Sequence, residues 1–415
     1  MKGAGLFSWA RGVMLLGGLA AAARAETPQP LDYDLSEPLG AYTAERGYGF
    51  DLDTQPQMPA FYFSARVPEG NWRVTVTLGG DRESETTVRA ESRRLMLEKV
   101  RTRPGETVEC SFVVNVRTPR LEPPPPNAPG GDRVRLNDRE VGVLHWDDKL
   151  TLEFSGTSPA VRRVRIEPAK DVVTLFLAGD STVTDQPYEP AASWGQMLPR
   201  FCNDRVAVAN HAESGETMKS FLTALRFDKL LSAVRPGDYV LIQFGHNDSK
   251  AQWPQTYAAA ETTYRDYLRV YVGEVRRRGA TPVLLTSVHR RVFDEQGHIR
   301  NTHGGYLDAV REVARAEDVA FIDLAAASAT LYEALGPARA PLAFNDGGRD
   351  PTHHNNYGAY QLARAVVDGL RDLRLPVSEH ILADLSPFDP AHPPAPESFG
   401  LPPSPRTSTL RPRGN

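Results

Sequence analysis

Val172-Val-Thr-Leu-Phe-Leu-Ala-Gly-Asp-Ser-Thr-Val183 is the stretch of sequence that decides the fold. The run up to Gly179 is apolar and β-prone, which is typical of a strand buried on both faces of a parallel sheet. Gly179 allows a sharp turn at the end of that strand. Ser181 is therefore predicted to lie at the carboxyl edge of the sheet, where open α/β folds bind their ligands. By itself, Gly-Asp-Ser is more often an ordinary turn in which Asp180 or Ser181 caps a helix.

The remainder of the carboxyl-terminal half alternates between short apolar strands and amphipathic helices. Further strands are predicted at residues 205–210, 238–245, 281–286 and 320–323, with apolar residues at helical spacing between them. Strands that alternate with helices imply right-handed crossovers and a parallel sheet. We therefore predict a three-layer α/β domain over residues 171–385.

Residues 26–170 consist of short segments in which apolar and polar residues alternate with a period of two. This pattern predicts an antiparallel β-sandwich domain, for example one of the galactose-binding-like type. This half contains no candidate catalytic residue. Tyr62, Trp72 and Trp146 could form a surface on which a sugar stacks, but core positions are favoured because aromatic residues dominate small β cores.

The two ends of the chain are predicted to lie outside both domains. Lys2 and Arg11 accompany an apolar run over residues 13–23, and Ala23-Arg24-Ala25 suits cleavage before Glu26. Residues 1–25 therefore read as a secretory signal peptide, which implies a secreted or periplasmic protein. The alternative is a retained N-terminal anchor. The proline-rich residues 386–415 are predicted to form a disordered tail.

The overall charge and the cysteines exclude several classes of partner. Removal of Lys2, Arg11 and Arg24 from 48 basic residues leaves 45 against 52 acidic residues, a net charge of −7. Nucleic acid and anionic membranes are therefore not expected partners. Cys110 and Cys202 fall in different predicted domains, so a disulfide is not expected. The sequence has no Cys/His spacing typical of zinc, and no metal or organic cofactor is expected. It does not indicate an oligomeric state.

Asp350-Pro-Thr-His353 supplies a candidate base for Ser181. An aspartate beside a histidine can fix the imidazole tautomer and stabilise the imidazolium that forms when the ring takes a proton. The alternative is that Asp350 caps a helix and His353 lies at the surface. The adjacent His354 is a rival base.

A developing oxyanion needs hydrogen-bond donors, and three predicted loops offer them. Ser181 provides its own backbone N–H, and Gly215 lets a backbone N–H approach a substrate closely because it lacks a Cβ. Asn247 can donate from its uncharged side-chain amide. Each of these is ordinary in isolation, but all three are predicted to follow strands of one sheet.

Taken together, these blocks resemble those of the SGNH, or GDSL, hydrolase superfamily. The residues that carry the resemblance are Gly179-Asp180-Ser181, Gly215, Gly245-x-Asn247-Asp248 and Asp350-x-x-His353. Further stretches are similar to the rhamnogalacturonan acetylesterase family: Ser193-Trp-Gly, Asn210-His-Ala, Phe244-Gly-His-Asn-Asp and Gly358-Ala. The resemblance spans residues 175–370. Glu216-Thr217 departs from the small polar pair that is common at this position in the family.

The resemblance implies a flavodoxin-like α/β fold and a role for each matching residue. Ser181 corresponds to the nucleophile, His353 to the general base and Asp350 to its orienting partner. Ser181, Gly215 and Asn247 correspond to the oxyanion donors. Asp180 and Asp248 correspond to supporting residues.

The expected function is that of an exported serine esterase, which removes acetyl groups from pectic rhamnogalacturonan through an acyl-enzyme. Its partner would be an acetylated plant cell-wall polysaccharide. Acetylated xylan, another hemicellulose and small esters remain alternative substrates. A non-catalytic carbohydrate-binding protein is the least favoured alternative.

Overall fold

The computed structural model describes residue 1 and residues 29–383 and 385–413. The predicted signal peptide and its cleavage site lie outside the described residues, except for Met1. The strands are β1 (Leu31–Asp34), β2 (Tyr48–Asp51), β3 (Ala60–Arg66), β4 (Gly70–Gly79), β5 (Ser84–Ala90), β6 (Arg94–Thr102), β7 (Thr107–Val116), β8 (Lys149–Ser158), β9 (Val161–Pro168), β10 (Val173–Gly179), β11 (Val206–Asn210), β12 (Tyr239–Gln243), β13 (Thr281–Leu285) and β14 (Ala320–Ile322). The α-helices are α1 (Trp194–Met197), α2 (Met218–Thr223), α3 (Arg226–Ala233), α4 (Thr263–Arg277), α5 (Tyr306–Ala316), α6 (Leu324–Arg339) and α7 (Asn356–Asp372).

The carboxyl-terminal half is built on a parallel sheet with the strand order β11-β10-β12-β13-β14. When the five strands of this half are numbered 1 to 5 in chain order, the order in the sheet is 2-1-3-4-5, which is the order of flavodoxin-like folds. The five strands correspond to the five predicted from the sequence, with ends that differ by one or two residues. Their apolar runs are buried because helices cover both faces of the sheet.

Two hydrophobic clusters show how the helices divide between the faces of the sheet. Leu175 and Leu177 of β10 pack in a cluster with residues of α1, α6 and α7. Phe176 and Ala178 of the same strand pack in a second cluster with residues of α2, α3, α4 and α5. Alternate side chains of one strand thus enter opposite layers, as strand geometry requires. This is the predicted three-layer α/β arrangement.

The amino-terminal half contains antiparallel strands in two sheets. One has the order β2-β3-β8-β5-β6, and the other, β1-β9-β4-β7, continues into the parallel sheet through β7 and β11. Apolar residues of both sheets share one core. A separate sandwich domain stays a prediction, because one of the sheets is continuous with that of the other half. Tyr62, Trp72 and Trp146 are buried, as favoured, and do not form an exposed stacking surface.

The prediction of a disordered tail over residues 386–415 differs from the structure, which describes this segment through Arg413. Phe399 packs against the rings of Tyr357 and Tyr360 of α7, with ring centroids 5.7 and 5.1 Å apart. Farther along, Ser404 donates a hydrogen bond of 2.7 Å to Glu153. The prolines that suggested disorder also restrict the unfolded chain, which lowers the entropy lost when a few such contacts hold the segment.

Within the described part of the chain, none of the helices has the length and apolar character needed to cross a membrane. Cys110 and Cys202 are free cysteines.

Candidate functional site

The predicted site residues lie at the carboxyl edge of the parallel sheet. Ser181 follows β10, Gly215 lies in the loop after β11, and Asn247 lies in the loop after β12. Strand β10 lies between β11 and β12 in the sheet. The connections that lead away from β10 therefore run toward opposite edges of the sheet, which makes this position a topological switch point. Crevices at such switch points are the usual ligand sites of open α/β sheets.

Ser181, His353 and Asp350 form a continuous hydrogen-bonded chain. Ser181 Oγ lies 2.8 Å from His353 Nε2, and His353 Nδ1 lies 2.8 Å from Asp350 Oδ2. All three residues are buried. Burial raises the pKa of Asp350, but hydrogen bonds from His353 and from backbone amides hold that pKa well below the usual value. An ionised Asp350 accepts a hydrogen bond from Nδ1–H, which keeps the ring proton on Nδ1 and leaves the Nε2 lone pair facing the serine hydroxyl.

The turn before α7 sets the direction of His353. Asp350 Oδ1 accepts hydrogen bonds from the backbone amides of Thr352 and His353 at 2.9 and 3.1 Å. The rival base, His354, points elsewhere: its Nε2 lies 2.6 Å from the Tyr332 hydroxyl. Burial lowers the pKa of His354 to about 3. The structure thus brings His353, not His354, to Ser181.

The Asp-Pro-x-His sequence occurs a second time, in Asp389-Pro-Ala-His392. There too the aspartate accepts from the histidine Nδ1, at 2.6 Å, but both side chains are exposed. Spacing alone therefore produces the Asp–His pair in both places. Only the pair at Asp350 is packed against a serine at the edge of the sheet.

The turn that carries Ser181 is held on several sides. A Cβ on Gly179 would come within 2.8 Å of the Gln243 carbonyl oxygen, so the turn requires glycine there. Asp180 Oδ1 accepts from the backbone and the hydroxyl of Thr182 at 3.0 and 2.8 Å. The Gln186 amide donates to the Ser181 carbonyl at 2.7 Å. The backbone around the hydroxyl is therefore fixed before any substrate arrives.

A series of hydrogen bonds connects the Ser181 turn and Asn247 to the residues that flank Gly215. The Gln186 amide that donates to Ser181 also lies 3.3 Å from Ser214 Oγ, and Gly215 follows with a φ of +83°. Asn247 Nδ2 donates to the Glu216 carbonyl at 3.0 Å. These contacts connect the Ser181 turn to Ser214 and connect Asn247 to Glu216, the two residues that flank Gly215.

The contact with Lys250 determines the orientation of the Asn247 side-chain amide. Its ammonium donates to Asn247 Oδ1 at 3.1 Å. An ammonium can only donate and a carbonyl can only accept, so the amide oxygen must face Lys250 and the nitrogen must face Glu216. That nitrogen carries a second N–H for another acceptor. Burial and the nearby Arg290 lower the pKa of Lys250 to about 8.

Asp180 and Asp248, the predicted supporting residues, are both buried. Burial raises the pKa of Asp180, but His246, whose Nδ1 lies 3.3 Å from Asp180 Oδ2, brings it below the usual value. Asp248 accepts from the backbone amide of Met218, the first residue of α2, at 2.9 Å. Burial raises the pKa of Asp248 to about 7. Asp180 thus supports the nucleophile turn, and Asp248 ties the β12 loop to α2.

Sequence reasoning missed the contribution of the amino-terminal half to this site. Arg93 donates to the carbonyls of Gln186 and Ala191 at 3.0 and 2.9 Å. Arg94 pairs with Asp185 at 2.6 Å. Both arginines are buried and hold the loop that follows Ser181. Pairs separated by about ninety residues leave no periodic pattern, so no sequence signal could have identified them.

A group of potential metal ligands lies nearby. Among the described residues, Glu140, His145 and Glu213 offer ligand atoms within 4.8 Å of one another. Arg226 pairs with Glu140, and Arg139 pairs with Glu213 at 2.7 Å. The guanidinium groups already supply the positive charge that a metal ion would bring, so the group forms an ion-pair network.

Comparison with known proteins agrees with this geometry. The GDSL-like Lipase/Acylhydrolase family matches residues 177–361. The rhamnogalacturonan acetylesterase RhgT of Bacillus subtilis is 39% identical over 227 residues, which cover 52% of this chain and 96% of the relative. The probable rhamnogalacturonan acetylesterase YesY of the same organism is 34% identical over 215 residues, which cover 51% and 98%.

A third relative reaches into the amino-terminal half. The uncharacterized esterase YxiM of Bacillus subtilis is 27% identical over 316 residues, which cover 74% of each chain. The near-complete coverage of RhgT and YesY shows that the matched region corresponds to their whole length. The chain belongs to the GDSL-like lipase/acylhydrolase family and is a carboxylic-ester hydrolase of EC class 3.1.1, similar to rhamnogalacturonan acetylesterases.

Proposed function

We propose that this protein is an exported serine esterase that removes acetyl groups from pectic rhamnogalacturonan. The observation that carries the proposal is the chain Ser181–His353–Asp350, with distances of 2.8 and 2.8 Å, at the switch point of the sheet. The names of RhgT and YesY support the acetylated polysaccharide as substrate. The proposal of export is supported by the apolar run over residues 13–23, and also by the polymeric nature of the proposed substrate, because a cell-wall polysaccharide lies outside the cell.

In the proposed reaction, Ser181 Oγ attacks the acetyl carbonyl carbon while His353 Nε2 accepts the hydroxyl proton. Collapse of the tetrahedral intermediate breaks the bond to the sugar oxygen, which receives that proton from His353. Water then attacks the acetyl-enzyme, again losing a proton to His353. Acetate leaves, and the proton returns to Ser181. Asp350 stays ionised throughout and stabilises the imidazolium.

The tetrahedral intermediate carries a negative charge on the former carbonyl oxygen. The backbone N–H groups of Ser181 and Gly215 and the second N–H of Asn247 are the proposed donors to it. Lys250 acts on this charge through Asn247, because its ammonium polarises the amide whose nitrogen donates. Lys250 is therefore a positioning residue in this proposal.

A substrate panel tests the proposed function. We expect acetate release from acetylated rhamnogalacturonan to exceed that from acetylated xylan by at least tenfold in kcat/KM, with a long-chain ester slower still. Mass analysis of the treated oligosaccharides should show losses of single acetyl groups. Equal rates on pectin and xylan would reject the substrate assignment, and no acetate release from any of them would reject the esterase proposal.

Lys250→Met is expected to lower kcat about tenfold, because a charge-assisted hydrogen bond to Asn247 is lost. The pKa of about 8 for Lys250 determines how kcat should depend on pH. Below pH 8 the ammonium is charged and supports Asn247; above pH 8 the charge is lost, so wild-type kcat should fall between about pH 8 and 9. The pH profile of kcat would show whether Lys250→Met abolishes this decline.

Lys219→Met, the same change on α2, is the matched control and should retain the alkaline decline. If kcat of Lys250→Met declined with the same midpoint pH as the wild type, the decline would have to be assigned to another group.

A further inference from the structure

The carboxyl-terminal segment lies against two parts of the site. We call residues 404–413 the strap. Arg411 Nη2 and Nε donate to Asp346 Oδ2 at 2.8 and 3.0 Å. Two residues farther along the chain, the Arg413 Cβ lies 3.6 Å from the position that a Cβ on Gly215 would take. The strap therefore passes from the loop that precedes the Asp–His pair to the proposed oxyanion glycine.

The loop that contacts the strap belongs to the site. The Asn345 backbone, next to Asp346, donates to the His353 carbonyl at 2.9 Å. The Asn345 side-chain amide lies 3.4 Å from Asp350 Oδ2. Ser181 itself is only 2% exposed. The strap thus connects the loop of the proposed base to a proposed oxyanion donor, and the hydroxyl that both serve is nearly closed to solvent.

Open space adjoins the strap in two places. A groove of about 920 Å³ is lined by the strap and Gly215. A cavity of about 370 Å³ is lined by the strap and Gln186, whose amide donates to the Ser181 carbonyl. Residues 411–413 and Ser214 line both spaces. Displacement of the strap would therefore join them into one cleft beside the Ser181 turn.

The two ends of the strap are held differently. Ser404 is buried and donates at 2.7 Å to Glu153, which pairs at 2.6 Å with the buried Arg89. At the other end, the ion pair of Arg411 with Asp346 leaves 43% and 22% of the two side chains exposed. Exposed ion pairs contribute little to stability. The strap is therefore firmly anchored at Ser404 and weakly held at Arg411.

Between these ends, the strap is held at the surface of the molecule. The Ser408 amide donates to the Glu189 carbonyl at 2.9 Å, and the Glu189 amide donates to the Arg406 carbonyl at 2.9 Å. Leu410 is 83% exposed, so it buries little apolar surface. By contrast, buried arginines hold the loop that follows Ser181. Segments with few buried apolar contacts open at the lowest free energy, so the strap is the part of these walls that can move.

We propose that the strap is a movable cover through which the esterase discriminates by substrate size, with Arg411 as the specificity-determining residue that keeps it closed. Small esters enter with the strap in place, whereas an acetyl group on a polysaccharide chain reaches Ser181 only when the strap is displaced. The inference rests on the proposed esterase function and adds a restriction on the form of the substrate. The strap lies outside the matched family region, residues 177–361.

Arg411→Gln and Asp346→Asn test the cover, because each removes the ion pair. The rate on a polymer is proportional to the open fraction, and loss of an exposed pair raises a small open fraction by up to about fivefold. We expect each variant to raise the ratio of kcat/KM for acetylated rhamnogalacturonan to kcat/KM for an aryl acetate by about three- to fivefold. The double variant should raise this ratio no further, because both changes remove one contact.

The opposite charge changes in the two variants provide an internal control. An electrostatic effect on binding of an acidic polymer would shift the ratio in opposite directions, whereas release of the strap raises it in both. Arg339→Gln is the matched control, because Arg339 of α6 pairs with Glu397 at 2.6 Å upstream of the strap, with both side chains exposed. It should leave the ratio unchanged. An unchanged ratio in both test variants, opposite shifts, or a fall in kcat/KM for both substrates would overturn the inference.

Hydrogen exchange of the strap provides a readout that does not depend on turnover. The Ser408 amide exchanges when it is released from the Glu189 carbonyl, so peptides that cover residues 404–413 should exchange about three- to fivefold faster in Arg411→Gln than in the wild type. Unchanged exchange in Arg411→Gln would overturn the inference. If the wild type does not hydrolyse the aryl acetate, the esterase proposal is rejected, whereas the exchange result still decides whether the strap opens.

Discussion

Ser181→Ala is expected to lower the rate of acetate release by about 10⁴- to 10⁶-fold while the protein stays folded. In the proposed reaction, the Ser181 hydroxyl is the group that forms the acyl-enzyme, and its removal closes that route. His353 Nε2 lies 2.8 Å from it, so the substitution removes the only proton that the proposed base would accept in the first step. Stopped assays of released acetate, with far-UV circular dichroism of the same preparation, measure both quantities.

Ser398→Ala is a suitable control for that experiment, because Ser398 lies in an exposed short 3₁₀ helix, where its hydroxyl donates to the Ala395 carbonyl at 2.7 Å. It should hydrolyse acetyl esters at the wild-type rate. Release by Ser181→Ala within tenfold of the wild type would show that the hydrolysis does not pass through a serine ester. A direct attack by water, activated by His353, would then have to be considered.

The site could be predicted from sequence to the extent that local motifs encode it. Each of the three residues Ser181, Gly215 and Asn247 follows a strand that can be recognised in the sequence by its apolar run. A parallel sheet places the carboxyl ends of its strands at one edge. The topology thus converts separate short motifs into neighbours. The helix that follows Asp350 and His353 could be recognised in the same way, from its spacing of apolar residues.

Motif chemistry alone was insufficient to predict the rest. Asp350-Pro-Thr-His353 and Asp389-Pro-Ala-His392 share a spacing and a hydrogen bond, yet only one lies next to a serine. The distinction arises from tertiary packing, because the first pair is buried under the loops of the sheet and the second is exposed.

The contributions of the amino-terminal half and of the carboxyl-terminal segment were also beyond sequence reasoning. Arg93, in the turn between β5 and β6, and Arg94, the first residue of β6, reach the loop after Ser181 from another sheet. A proline-rich composition suggested disorder, whereas the segment is held by a few specific contacts such as that of Ser404 with Glu153. Such contacts join distant parts of the chain, and composition averages over them.

Asp350→Asn is expected to lower kcat by about 10⁴-fold with little change in KM, through the tautomer of His353. Asp350 Oδ1 accepts from two backbone amides, so the oxygen of an asparagine would keep that position. Its NH₂ group would then replace Oδ2, which lies 2.8 Å from His353 Nδ1. Because that NH₂ group only donates, Nδ1 must become the acceptor and the ring proton must move to Nε2. The imidazole would then present an N–H to Ser181 and could not accept its proton.

Asp389→Asn is the matched control, since it makes the same change in a second Asp-Pro-x-His sequence at the surface. It should leave kcat unchanged and should show that the loss in Asp350→Asn is not a general effect of the substitution. Nitrogen NMR of the histidine ring can report which nitrogen carries the proton in each variant. A normal kcat in Asp350→Asn, or a large loss with the proton still on Nδ1, would show that Asp350 does not act by orienting the base.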